Sequence, residues 1–237
     1  MYRRRPRNIH GRRKIIMKNK PIISIQEAVD KVNDGDTVLI GGFLATGSPN
    51  RIIDVLAESE KKDLTLINND TAFPDRGVGK LVVNKKLKKI ITSHIGTNKE
   101  TGRQMIAGET EVILTPQGTL AEQVRAGGYG LGGILTKTGL GTEVENGKDK
   151  IEIDGEEYLV EKPIRGNIAI IYANKADRFG NVRFHGATQN FNTLMAMAAD
   201  LVILETDELV EIGQIDQDSV HLSGIFIDYI VDGGAVK

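Results

Sequence analysis

The segment DGDTVLIGGFLATGSP, residues 34–49, decides the fold class. Asp34-Gly35 is a turn signal, and Thr37-Val38-Leu39-Ile40 is an apolar, β-branched run of buried-strand length that Gly41-Gly42 ends. Ser48 and Pro49 then read as an N-cap and a first helical residue. The helix they open carries Ile52, Ile53, Leu56 and Ala57 at core-facing spacing. A buried strand that passes through a glycine loop into a helix is the repeating unit of a parallel α/β sheet. Ligands of such sheets sit beyond the carboxyl ends of the strands, where backbone N–H groups and a helix dipole favour anions. Gly41 and Gly42, lacking Cβ atoms, are expected to let a ligand reach the backbone. The residues alone point to an anionic or carbonyl-bearing small ligand.

Outward from this segment the same rhythm continues. Ser24 and Glu27 form a capping-box pattern that opens a helix over 25–32. Apolar strands are predicted at 64–67, 89–92, 111–114, 168–172 and 201–205, with helical patterns at 120–126 and 192–199. Alternation of this kind predicts an α/β fold, a largely parallel open sheet with flanking helices. The stretch 143–161 breaks the rhythm. Ile151-Glu152-Ile153 and Tyr158-Leu159-Val160 flank Asp154-Gly155 as the strands of a β-hairpin would, which predicts an antiparallel insertion. No fixed-period repeat and no Pro- or Ser-rich linker divides the chain, so residues 17–237 are expected to form one domain.

Of the 237 residues 40% are hydrophobic and 27% charged, the balance of a globule rather than of a disordered or fibrous chain. Cysteine is absent, which removes disulfides, thiolate metal sites and thiol nucleophiles and permits a reducing cytoplasm, the expected location. Apolar runs such as 168–173 are strand-sized, far from the ~20 residues of a membrane helix. The formal charge of -1 conceals an asymmetry. Residues 1–16 hold seven of the 31 Lys and Arg residues and no acid, leaving 24 basic against 32 acidic side chains, a net of -8. An acidic globule argues against a nucleic-acid-binding domain. The basic tail is expected to be a disordered arm, and Met17 is a candidate alternative start.

Several chemistries fall away. His10, His94, His185 and His221 show no metal-ligand spacing, and neither a G-x-S-x-G elbow nor a Walker phosphate loop is present. Residues 128–133 fit G-x-G-x-x-G, yet they follow a helical pattern and lead into Ile134-Leu135, the reverse of a dinucleotide site; a helix C-cap and turn is predicted instead. No metal is expected. An unrelated α/β oxidoreductase and a non-catalytic small-metabolite-sensing module remain as alternative readings of such a fold.

The fixed positions of residues 34–49, namely Asp34, Gly35, Gly41, Gly42, Phe43, Gly47 and Pro49, resemble the family I coenzyme A transferase signature. The resemblance extends through INNDTAFPDRGVGKLVVN, SHIGTNKETGR, TPQGTLAEQVRAGG, TKTGLGTEVENGK, KADRFGN and FNTLMAMAADLVILETDELVE. The whole looks like the alpha (A) subunit of acetate/acetoacetate or butyrate–acetoacetate transferases. The resemblance implies a ping-pong exchange of CoA between an acyl-CoA and a short-chain carboxylic acid, with CoA as substrate and no further cofactor. It implies a beta subunit as partner, carrying the nucleophilic glutamate in a Ser-Glu-Asn-Gly segment, and a heterotetramer of two alpha and two beta subunits. By motif, Gln117 is expected to donate to the thioester oxygen, Asn69 to contact the carboxylic acid, and Gly41, Gly42, Phe43, Leu44, Ala45, Thr46 and Gly47 to contact CoA. Glu145-Asn146-Gly147 mimics the nucleophile segment, but Val144 replaces the serine and Lys148-Asp149-Lys150 replaces its apolar continuation. Glu145 and Glu122 are therefore expected to be bystanders.

Overall fold

The computed structural model describes residues 18–234; the basic tail and Met17 lie outside the described residues. The chain first forms α1 (Ile25–Asp30), β1 (Thr37–Ile40), α2 (Asn50–Glu58), β2 (Leu64–Ile67), α3 (Gly79–Val83), β3 (Leu87–Thr92), α4 (Lys99–Ile106), β4 (Glu111–Leu114) and α5 (Gln117–Tyr129). Then come β5 (Ile134–Thr136), β6 (Lys150–Ile153) and β7 (Glu156–Glu161), followed by β8 (Gly166–Asp177), β9 (Val182–Arg183), α6 (Asn192–Met197), β10 (Ala199–Val210) and β11 (Tyr229–Asp232). The main sheet runs in the order β11-β10-β8-β1-β2-β3-β4 with every neighbouring pair parallel, and β9 turns back antiparallel on β8. The predicted open α/β sheet is thus borne out. Because β1 to β4 are laid down in one direction and β8 returns to the other side of β1, the strand order reverses at β1, where open sheets leave a crevice.

Both faces of the sheet are covered, and alternation along the strands divides the core. Val38 and Ile40 of β1 and Ile168 and Ile170 of β8 pack with Ile52, Ile53 and Leu56 of α2 and Leu81 of α3. Leu39, Ala169 and Ile171 point the other way, onto Leu120 and Val124 of α5 and Leu194 and Met195 of α6. The insertion is a three-stranded antiparallel sheet, β5-β7-β6. Asp154 and Gly155 join β6 to β7 with φ of 53° and 79°, the left-handed pair of a type I′ hairpin turn. The third strand, β5, has three residues, too few for periodicity to reveal. Gly130, at φ 70°, caps α5, so the glycine-rich run at 128–133 is a helix end as expected.

Three local expectations are corrected. The 25–32 helix closes at Asp30, although its capping box forms: Glu27 N donates to Ser24 Oγ at 3.2 Å and Ser24 N to Glu27 Oε2 at 2.8 Å. The 192–199 helix ends at Met197, because Ala199 already pairs with Gly166 as the first residue of β10. Ser48 and Pro49 do not cap α2 as predicted. The helix begins at Asn50 after Pro49, with no side-chain cap of its own, and buried Ser48 donates its hydroxyl back to Gly41 O at 3.3 Å. The first-turn amides of α2 are taken by Glu205 of β10, which accepts from Ile52 N at 2.9 Å and Arg51 N at 3.4 Å. A long-range cap of this kind leaves no local sequence signal.

Candidate active site

Four consecutive parallel strands end at one cleft of about 300 Å³. β1 delivers Phe43 and Leu44, β2 delivers Asn69 and Asp70, β3 delivers Ser93, His94 and Thr97, and β4 delivers Gln117. The loops are bound to one another at this level. Asn68 Nδ2 donates to Ile40 O, Ser93 N to Asn69 O at 3.1 Å, Thr71 N to His94 O at 3.1 Å, and Thr97 Oγ1 to Ala72 O at 2.6 Å. The walls are therefore extensions of the sheet rather than free loops, as a preorganised site requires.

Gln117 opens the 13-residue α5 at the mouth of the cleft. Its side chain is exposed and, among the described residues, its amide makes no hydrogen bond. The amide N–H groups are free to donate beside the helix N-terminus, where negative charge is favoured.

Asn69 is buried, with 1% exposure. Its Nδ2 donates to Asp70 Oδ2 at 2.7 Å, and its Oδ1 accepts no hydrogen bond. Asp70 is equally buried, and its Oδ2 also accepts Leu44 N at 2.9 Å while Oδ1 accepts Ala72 N at 2.7 Å. Both oxygens are used.

At two glycines of the β1 loop the space that a Cβ would take is filled by the chain itself. A Cβ on Gly41 would lie 1.8 Å from Asn192 Oδ1, and one on Gly42 would lie 2.0 Å from Ser48 Oγ. Both positions are buried. Asn192 fills that space in order to hold three segments, accepting Tyr172 N at 3.1 Å and donating to Gly47 O and Thr188 O at 2.9 and 2.8 Å. Ala45 and Thr46 face a second cleft of about 310 Å³ that shares Leu44 as its wall and includes Arg76 and Lys80. Gly47 borders a third, of about 290 Å³, with Arg51, Tyr172, Glu205 and Asp207. Burial pushes the Glu205 carboxyl up to about 7, despite the Ile52 and Arg51 amides that it accepts and the nearby Arg51 guanidinium.

Of the residues expected from sequence, Phe43, Leu44, Asn69 and Gln117 meet in one cleft, Ala45, Thr46 and Gly47 border its neighbours, and Gly41 and Gly42 lie behind it. Asp70, Ser93, His94 and Thr97 were missed. One signal points to three of them: each stands within three residues after the end of a predicted parallel strand, the level at which such sheets build sites. Glu145 sits in the insertion, on a turn, where its side chain accepts Gly141 N at 2.6 Å and pairs with Lys150 at 3.1 Å. These contacts hold its carboxyl below the usual range, the Gly141 amide first. Glu122 pairs with Arg125 at 3.0 Å on α5. Neither glutamate lines the cleft. Among the described residues no group of three or more His, Asp or Glu side chains is placed to hold a metal ion, and no helix is long and apolar enough to cross a membrane.

Residues 22–233 match the family model for coenzyme A transferase. The chain belongs to that family. It is 50% identical over 215 residues to the acetate CoA-transferase subunit alpha of Escherichia coli, an alignment covering 91% of this chain and 97% of that one. It is 47% identical over 213 residues to the acetoacetyl-CoA:acetate/butyrate CoA transferase alpha subunit of Clostridium acetobutylicum, covering 90% and 98%. Among solved structures, the acyl-CoA transferase apoenzyme of E. coli superposes with a TM-score of 0.80 at 24% identity. That match covers 90% of this chain and 47% of the other, so this coenzyme A transferase chain spans about half the length of that solved structure, and the likeness there is one of fold.

Proposed function

We propose that this chain is the alpha subunit of a short-chain acyl-CoA:carboxylate CoA-transferase, and that it shapes the pocket while a beta subunit brings the nucleophile. One observation carries the division of labour. The cleft holds a free amide donor, Gln117, but its one carboxylate, Asp70, is buried with both oxygens engaged by three N–H donors. Transfer through a covalent carboxylate requires an attacking acid, and among the described residues of the cleft there is none to spare. The curated relatives named above carry the word alpha in their names, which supports a partner chain.

In the proposed route a glutamate of the beta subunit attacks the thioester carbonyl, and the C–S bond breaks to give an acyl-glutamyl anhydride and CoA thiolate. The thiolate then attacks the glutamyl carbonyl, releasing the first carboxylate and leaving a glutamyl-CoA thioester. The second acid attacks that thioester, and the sequence runs in reverse to yield the new acyl-CoA. Carboxylate nucleophiles suit this exchange because anhydride and thioester both conserve the energy of the starting bond. Gln117 donates to the thioester oxygen as negative charge develops on it, an oxyanion-hole contact of the kind worth about 2.7–4 kcal/mol. Phe43 and Leu44 border the CoA arm, the Asn69 loop borders the acid, and Ala45 to Gly47 carry the CoA contact into the neighbouring clefts. Acetate, acetoacetate and butyrate are the proposed acids, CoA the proposed substrate without further cofactor, two alpha and two beta subunits the proposed assembly, and the cytoplasm the proposed location.

Co-expression with a chain bearing Ser-Glu-Asn-Gly tests this reading. The isolated chain is expected to be inert toward acetyl-CoA and butyrate, and the reconstituted complex active. Turnover by the isolated chain would overturn it.

A further inference from the structure

Two neighbouring loops of the cleft hold non-glycine residues in the left-handed region. Phe43 N donates to Thr46 O at 3.0 Å and Thr46 N to Phe43 O at 2.8 Å, closing a turn whose central residues, Leu44 and Ala45, have φ of 48° and 70°. Just beyond β2, Ala72 has φ 49°. L-residues persist there only where surrounding contacts over-determine them, and such residues cluster at functional sites. Here one side chain supplies the decisive contacts. Asp70, 2% exposed, accepts Leu44 N and Asn69 Nδ2 on Oδ2 and Ala72 N on Oδ1. Among the described residues it pairs with no lysine or arginine, so these N–H groups alone offset the desolvation of a buried carboxylate. The loops also meet directly: a Cβ on Gly77 would stand 2.9 Å from Ala45 Cβ and 3.3 Å from Ala72 Cβ.

We propose that Asp70 is the positioning residue of the cleft. Its carboxylate fixes the Leu44 turn, the Ala72 bend and the Asn69 amide in one arrangement, so that acyl-CoA meets a preformed wall. Asp70 touches no reacting atom; it acts through Leu44 and Asn69. The idea rests on the transferase reading of the same cleft. A chain whose wall must be ordered on binding loses apparent affinity by the fraction of time the wall is competent. An asparagine at position 70 keeps the shape but has one acceptor oxygen, so its NH₂ must face a backbone N–H whichever way it turns.

The test has two independent arms. In the complex reconstituted with a glutamate-bearing beta subunit, Asp70→Asn is expected to raise KM for acyl-CoA at least tenfold with kcat within threefold. In the full chain alone, the same variant is expected to speed hydrogen exchange at least tenfold at the Leu44 or the Ala72 amide, whichever the new NH₂ faces. Ala45→Gly suits the left-handed turn without help, so adding it to Asp70→Asn is expected to recover at least half of the lost affinity on a logarithmic scale. If Asp70→Asn does not fold, Asp70→Ser takes its place in both arms. Unchanged exchange at both the Leu44 and the Ala72 amides, or a loss confined to melting temperature and kcat with KM unaltered, overturns the proposal. An inert wild-type complex would instead overturn the transferase reading and leave the exchange arm to decide the role of Asp70.

Discussion

The carboxylate of Glu205 accepts the amide of Ile52 at 2.9 Å across 153 residues of chain, so the last long strand of the sheet caps the helix that follows the first. Its burial has a measurable consequence. The folded-state value is raised from 4.5 to about 7, chiefly by desolvation, with Asp207 adding repulsion and Arg51 opposing it. A carboxyl that binds its proton more tightly when folded contributes stability that is complete below pH 4.5 and lost as pH rises through about 7. The difference in stability between wild type and Glu205→Gln should therefore shift against the wild type as pH climbs through that window. Denaturant melts at several pH values read it, and parallel profiles would contradict it.

Gln117→Ala should lower kcat of the reconstituted complex by about 10²–10³-fold with a small change in KM, the pattern of a donor used mainly in the transition state. Steady-state kinetics with acetyl-CoA and butyrate distinguish this from a binding role, which would raise KM and leave kcat intact.

Glu145→Ala should leave turnover of the assembled enzyme unchanged, since Glu145 is held by Gly141 and Lys150 within the insertion and does not line the cleft. A large loss of kcat with normal assembly would make it a catalytic group after all.

Gly41→Ala should destabilise the chain by about 1–3 kcal/mol, the usual cost of overpacking, because the new Cβ falls 1.8 Å from Asn192 Oδ1. The cost should shrink in an Asn192→Ala background, where the clashing amide is gone. Additive effects in a double-mutant cycle would show that the two residues do not meet.

How far the chain could be read from its letters depended on the range of each interaction. β1 and α2 were legible because their apolar spacing is local, and the parallel order followed from strands separated by helices. The Ser24–Glu27 box and the Asp154-Gly155 turn are short-range devices, and each was found where expected. Ser48 misled because it has the composition of an N-cap, whereas the cap comes from Glu205 on a distant strand. At Gly41 and Gly42 the letters report only that something approaches closely, and the side chains that do so, Asn192 and Ser48, lie elsewhere in the chain. Gln117 and Asn69 were reached through resemblance to a family motif, and the cleft joins them to Phe43 and Leu44. Asp70 went unread because its importance lies in three partners, one of them 26 residues back in the chain.

In the proposed division of labour this subunit supplies the walls and another chain supplies the attacking acid. Incubating the reconstituted complex with acyl-CoA, reducing with borohydride and mapping both subunits by mass spectrometry tests it directly. Reduction of a glutamyl-CoA thioester to the alcohol removes one oxygen and adds two hydrogens at a single glutamate. That change is expected in the Ser-Glu-Asn-Gly segment of the beta subunit, with every glutamate of this chain intact; the same change at Glu145, Glu122 or any other residue of this chain would contradict the division of labour.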